Sequence, residues 1–162
     1  MHYHGGEPAF GVRAPGRVDL MGSHTDYNEG LVMTLPINRE IWILARPRKD
    51  DKIRLASLNM NSLAGFDAKD PACHKLESWG VYAQAVAIEL QKAGYPLTGC
   101  DAVVHGTVPL SSGLSSSAAL EAAVATMFER LGGFELDPVE KAKLTQQAEN
   151  AWVGVNCGIL DQ

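Results

Sequence analysis

The chain has little cysteine and no long apolar run, and each shortage narrows what it can be. Its three cysteines, Cys73, Cys100 and Cys157, are odd in number, widely spaced and without a Cys-x-x-Cys pair. That argues against a disulfide framework or a cysteine zinc site and fits free thiols in a reducing cytoplasm, the compartment expected here. No stretch reaches the roughly 18 apolar residues that a membrane-spanning helix needs. The opening, Met1-His-Tyr-His-Gly-Gly6, lacks the basic-then-apolar layout of a signal peptide. Basic residues are in deficit: 14 Lys and Arg against 19 Asp and Glu give a net charge of −5. Neither nucleic acid nor an anionic membrane surface is therefore expected as a partner. There is no internal repeat, and no Gly-x-x-x-x-Gly-Lys-Ser/Thr loop occurs anywhere.

What is present fits one globular domain: 162 residues, 46% apolar and 20% charged, are enough for a sizeable core. The stretch that organises the reading is Pro109-Leu-Ser-Ser-Gly-Leu-Ser-Ser-Ser-Ala-Ala-Leu-Glu121. Ala102 to Val108 upstream is an apolar, β-branched run that predicts a buried strand. Ala118 to Leu131 downstream is rich in helix formers and stops at Gly132-Gly133. A small-residue loop feeding a helix N-terminus offers unpaired N–H donors and the positive end of the helix dipole, which together attract phosphate. An ordinary serine-rich helix start is an equally good reading of the composition alone. The absence of any bulky side chain, and hydroxyls able to reach Mg²⁺, tilt the balance toward a nucleotide.

Elsewhere, Val12-Arg-Ala14 predicts a strand broken by Pro15-Gly16, leading to the polar cluster Ser23-His-Thr-Asp-Tyr-Asn28. Leu31–Leu35, Ile41–Arg46 and Ile53–Leu58 read as strands, the last with one wet face. Residues 59–77 read as irregular. Ser78 is placed to cap a helix from Trp79 to about Gly94, with Trp79, Tyr82, Ala83, Val86, Ala87 and Leu90 on one stripe. Asp137-Pro-Val-Glu140 is a capping-box start for a helix to about Val153, with Leu144, Ala148, Ala151 and Trp152 inward and Glu149 at a solvated border. Strands first, then helix, strand, helix, helix, predict an α+β layered domain. The chain stops at Asp161-Gln162 with no polar tail, which reads as a cut in mid-domain.

Three segments resemble the galactokinase family, within the galactokinase–homoserine kinase–mevalonate kinase–phosphomevalonate kinase superfamily. They are Gly16-Arg-Val-Asp-Leu-Met-Gly-Ser-His-Thr-Asp-Tyr-Asn28, the serine loop Pro109 to Ala119, and Gln147-Ala-Glu-Asn150 with Asn156-Cys-Gly-Ile-Leu-Asp-Gln162. The resemblance covers nearly the whole chain but only the N-terminal part of such a kinase, a second, cleft-closing domain being absent. It implies the fold of the superfamily's N-terminal domain, like the second domain of ribosomal protein S5. It also implies an ATP- and Mg²⁺-dependent kinase that phosphorylates the C1 hydroxyl of galactose, a monomer when intact, with a dimer conceivable for the fragment.

Residue by residue, the resemblance gives Asp161 as general base and Arg17 as its partner. Ser117 and Glu149 become the Mg²⁺ ligands. Leu110, Ser111, Ser112, Gly113, Leu114, Ser115, Ser116 and Ser117 become the phosphate loop, with Trp79 and Tyr82 near adenine. Ser23, His24, Asp26 and Gly158, with Arg17 and Asp161, become the sugar contacts. One departure matters: Ser23 stands where the family usually has glutamate; Asp19 also replaces the family's usual asparagine, with no effect assigned to it. Losing the glutamate would make a C6 carboxylate tolerable, so a galacturonate- or L-arabinose-type kinase is the alternative. A non-catalytic sugar and ATP sensor ranks below both, because Ser115-Ser-Ser-Ala118 is complete.

Overall fold

Alternation in Ile41-Trp-Ile-Leu-Ala45 sends Ile41, Ile43 and Ala45 inward and leaves Trp42 and Leu44 exposed. This belongs to an antiparallel strand, second from one edge of a five-stranded mixed sheet. The computed structural model describes residues 6–28, 30–109 and 112–162. The strands are β1 (Phe10–Met21), β2 (Met33–Pro47), β3 (Lys52–Ser57), β4 (Ser62–Asp67) and β5 (Cys100–Gly106), in the order β1-β2-β5-β3-β4. Only the β3–β5 pair is parallel. Helices α1 (Gly80–Lys92), α2 (Ser116–Gly132) and α3 (Pro138–Ala148) complete the α+β architecture that the element order predicts.

The core lies between the sheet and α2, with α1 packed beside it. Ile43, Ile53, Leu55, Val86, Leu90, Val124, Met127 and Phe128 are all buried there. At the sheet's β3–β5 end, Asp101 is buried and held by the guanidinium groups of Arg46, Arg48 and Arg54 at 2.8–3.2 Å.

Pro15-Gly16 does not break the first strand. β1 runs through it with a register shift between Pro15 and Arg17, a bulge that re-aims the strand. A Cβ at Gly16 would lie 2.7 Å from the Leu114 carbonyl, so only glycine lets the strand touch the serine turn. β2 likewise runs unbroken past Pro36, which pairs with Arg17 of β1. The β5 ladder ends at Ile41, so the missing proline N–H has no partner to lose on that side.

Residues 62–67, read as irregular, form β4 in register with β3, across a turn in which Asn61 is left-handed (φ 47°). Ser78 does not cap α1: it is itself left-handed (φ 57°), and Trp79 takes the capping position without a side-chain bond. The expected stripe of α1 is inward, and buried Gln84 adds bonds to Leu76 N–H and to the carbonyls of Pro71 and His74.

The capping box of α3 is only half made. Asp137 accepts from the N–H groups of Val139 and Glu140, but the Glu140 carboxylate takes the Tyr95 hydroxyl instead. α3 also stops short of Val153, giving way at Glu149–Val153 to a π turn. The wider turn shifts the facing: Ala151 is exposed rather than inward, and Glu149 is buried rather than at a solvated border.

Candidate active site

The serine turn, the end of β1 and the segment before Gln162 meet at Arg17. Its backbone N–H donates to Leu114 O (3.2 Å) and its Nη1 to Gly113 O (2.8 Å), which fixes the turn against the strand. Its Nη2 is ion-paired with the Asp161 carboxylate. One guanidinium therefore joins a turn 96 positions away to a carboxylate 144 positions away. The pairing leaves the carboxylate's other lone pairs open to a nearby proton.

Ser115 precedes α2 in a left-handed conformation (φ 55°, ψ 49°). A non-glycine residue there costs about 1–2 kcal/mol, and such strain gathers at sites that bind or react. Its hydroxyl is buried and has no partner among the described residues. The backbone N–H groups opening α2 carry no side-chain cap, so the turn presents unsatisfied donors at a positive helix end. Ser112, Gly113 and Leu114 shape the turn, and the Ser112 hydroxyl donates to Pro109 O. Leu110 and Ser111, also expected in the phosphate loop, lie outside the described residues.

Two cavities flank this junction. One, of about 280 Å³, is lined by Arg17, Asp19, Ser23, Asp26, Gly158 and Asp161 among others, with Gly113 at its edge. Five of the six expected sugar contacts thus meet. The sixth, His24, does not line that cavity; it is exposed, with Nδ1 2.7 Å from the Tyr27 hydroxyl. Asp26 anchors the far wall by accepting from the N–H groups of Ile159 (2.9 Å) and Leu160 (3.2 Å). A Cβ on Gly158 would collide with that carboxylate. The other cavity, also about 280 Å³, brings Trp79 and Tyr82 together with Ser116 and Ser117 over an apolar floor that includes Ile41, Val104 and Leu120. Trp79 holds its place through Nε1, which donates to the Ser62 hydroxyl at 2.8 Å. An apolar slot with aromatic walls opening onto a polar helix end suits a flat base joined to phosphates.

Behind the junction lies a carboxylate that the sequence reading passed over. Glu121 is fully buried, and neither oxygen has a hydrogen-bond partner among the described residues. Burial, then the negative charge of Glu149, and more weakly that of Asp161, push its carboxyl up to about 9, while the nearby Gln162 amide pulls the other way. Glu149 itself accepts from Gln162 Nε2 (3.1 Å) and from the Cys157 thiol (3.4 Å). The thiol of Cys157 is pushed up to about 12 by its own burial and then by Glu149. Spacing gives only its facing: Glu121 follows Ser117 by four residues and shares one face of α2 with it, while its unpartnered oxygens show only in the fold.

The buried carboxylate of Glu149 is a group that suits a divalent cation. Ser117 stands in the first turn of α2, and Glu149 supplies a carboxylate. Among the described residues no group of three or more His, Cys, Asp or Glu side chains is placed to hold a metal alone. Mg²⁺ rarely needs such a cage, because phosphate oxygens and water complete its shell. Among the described residues, no helix is long and apolar enough to cross a membrane.

Comparison with known proteins agrees with this geometry. Residues 81–162 match the family described as GHMP kinases N terminal domain, and residues 1–47 match the galactokinase galactose-binding signature. The chain is 44% identical over 161 residues to a galactokinase of Roseiflexus sp. (strain RS-1), covering 99% of this chain and 41% of that protein. It is 42% identical over 160 residues to a galactokinase of Chloroflexus aurantiacus, again covering 99% of this chain and 41% of the relative. The crystal structure of Lactococcus lactis galactokinase complexed with galactose superposes with a TM-score of 0.89 at 36% identity, covering 97% of this chain and 42% of that one. This chain thus spans about two-fifths of the length of the curated relatives it matches. By its match to the N-terminal domain over half its length, the chain belongs to the GHMP kinase family, with the galactokinase signature at its start.

Proposed function

We propose that this chain forms the N-terminal part of a galactokinase-type sugar 1-kinase, which moves the γ-phosphoryl group of ATP to the C1 hydroxyl of galactose. The observation that carries the reading is the Arg17 bridge between the turn at Gly113 and the carboxylate of Asp161. Phosphoryl transfer requires a positioned hydroxyl and neutralised charge more than covalent help. Asp161 accepts the proton of the attacking hydroxyl, and Arg17 positions that carboxylate and faces the transferring group. The N–H groups from Gly113 to Ser117 bind phosphate oxygens. Trp79 and Tyr82 sandwich or edge the adenine. Ser117 and Glu149 would hold Mg²⁺, which when bound neutralises charge on the phosphates. A second domain beyond this chain closes the cleft over both cavities. Asp26, Ser23 and Gly158 orient the sugar, and His24 lies just outside its cavity, its imidazole bonded to the hydroxyl of Tyr27 on the cavity wall.

ADP release by the full-length polypeptide, with galactose, galacturonate and L-arabinose as acceptors, tests the reading. Turnover on galactose is expected, and its loss in Asp161→Asn with nucleotide affinity nearly intact. Undiminished turnover in that variant would remove Asp161 as the base. One observation favours a different sugar: the small, exposed Ser23 leaves room where a glutamate would reach. On that reading galacturonate or L-arabinose outruns galactose in the same assay.

A further inference from the structure

Asp19, on the wall of the sugar cavity, is left half-satisfied by the rest of the protein. One of its carboxylate oxygens accepts the Ser23 hydroxyl. The other, Oδ1, is buried and has no partner among the described residues. The β1–β2 register is regular from Arg17 to Asp19, opposite Pro36 and Thr34, so Arg17 and Asp19 share a face of the strand. Arg17 carries a second orphan on that face: its Nε is buried and unpartnered, although both terminal nitrogens are engaged. Both residues line one cavity, and an unpartnered acceptor and donor call for a group that can accept and donate at once. A hydroxyl does both, whereas a carboxylate only accepts.

We propose that Asp19 is a specificity-determining residue, oriented by Ser23, which binds a hydroxyl of the acceptor sugar other than the one phosphorylated and so selects neutral sugars over acidic ones. The inference rests on the sugar-kinase reading above. Ser23 taken alone opens the cavity to a sugar acid, but Ser23 paired with Asp19 puts a carboxylate back into it. Asp19, Asp26 and Asp161 give the cavity three carboxylates, against the single guanidinium of Arg17, which is already paired with Asp161. An incoming carboxylate would meet repulsion, and Asp19 Oδ1 would stay without a donor.

Full-length wild type, Asp19→Asn, Asp19→Ala and Ser23→Ala are to be compared on galactose, a set of monodeoxygalactoses and galacturonate. Turnover and sugar binding by calorimetry are measured separately. In the wild type, galactose should outperform galacturonate. Asp19→Asn should raise KM for galactose about 10-fold, with the loss falling mainly on KM, and narrow the preference over galacturonate by about 10- to 100-fold. Ser23→Ala, which keeps the carboxylate but frees its orientation, should act in the same direction and less. One deoxy-sugar should be insensitive to Asp19→Asn, identifying the hydroxyl bound. An unchanged galactose-to-galacturonate ratio in both Asp19 variants, or an equal penalty on every deoxy-sugar, overturns the proposal while leaving the kinase reading intact. Sugar binding that shifts as expected without any turnover upholds the proposal and sinks the kinase reading. A wild type that binds no neutral sugar sinks both.

Discussion

Glu121 makes folding consume a proton, and Glu121→Gln should abolish that demand. The carboxyl is fully buried and unpartnered, with its ionisation moved from 4.5 to about 9 by burial and by Glu149. A folded value above the unfolded one means that the folded chain binds the extra proton between those limits. Stability is then undiminished below the unfolded value and falls as pH rises, by about 1.4 kcal/mol per pH unit, until the folded value is passed. At pH 7, about 2.5 units above the unfolded value, the proton uptake costs roughly 3 kcal/mol. Glutamine keeps the shape without the titration, so Glu121→Gln should gain up to about that much at pH 7 and almost nothing near pH 5. Other resolved shifts fall outside this window. Asp50, Asp67 and Asp101 are lowered, while Tyr82, Tyr95, Cys100 and Cys157 are raised from values already at 9 or above. Urea denaturation at intervals from pH 5 to 9, in EDTA to keep divalent cations from the cluster, reads the difference directly. Parallel stability–pH curves for the two proteins would refute the reasoning, since they would mean that Glu121 is ionised in the fold.

Gly158→Ala places a methyl group against the Asp26 carboxylate, which must shift and release the Ile159 and Leu160 N–H groups; KM for sugar should rise at least about 10-fold, with little change in nucleotide affinity by calorimetry. Asp101→Asn removes the charge that gathers Arg46, Arg48 and Arg54, and the midpoint of urea unfolding should drop by an amount equivalent to about 2–4 kcal/mol. Burial alone would raise the Asp101 carboxyl, but hydrogen bonds from the three arginines outweigh it and hold it below the usual carboxylate range. Its contribution should therefore persist above about pH 4 and fade as the pH drops further.

The strands and helices that sequence revealed are those whose residues carry their own signal. Ile41-Trp-Ile-Leu-Ala45 alternates, and the Ala-rich start of α2 can hardly be anything but helix. β4 was invisible because Ser62-Leu-Ala-Gly-Phe-Asp67 has little strand propensity and is held by its pairing with β3. The facing of Glu149 was misjudged because a regular 3.6-residue period was carried through a segment that widens into a π turn. At the site, resemblance to the galactokinase family's motifs pointed to Arg17, Asp26, Gly158 and Asp161, which do converge on one cavity. It said nothing useful of Asp19 or Glu121. What singles them out is oxygens left without donors, and that shows only when every neighbour has a position.

Arg17 ties a strand near one end of the sequence to a turn 96 positions later and a carboxylate 144 positions later. The sheet and the α1–α2 layer need only what precedes residue 133, but the pocket stays unassembled until the ribosome has released Asp161. A nascent chain can therefore own most of its architecture before this cavity is closed by its last wall.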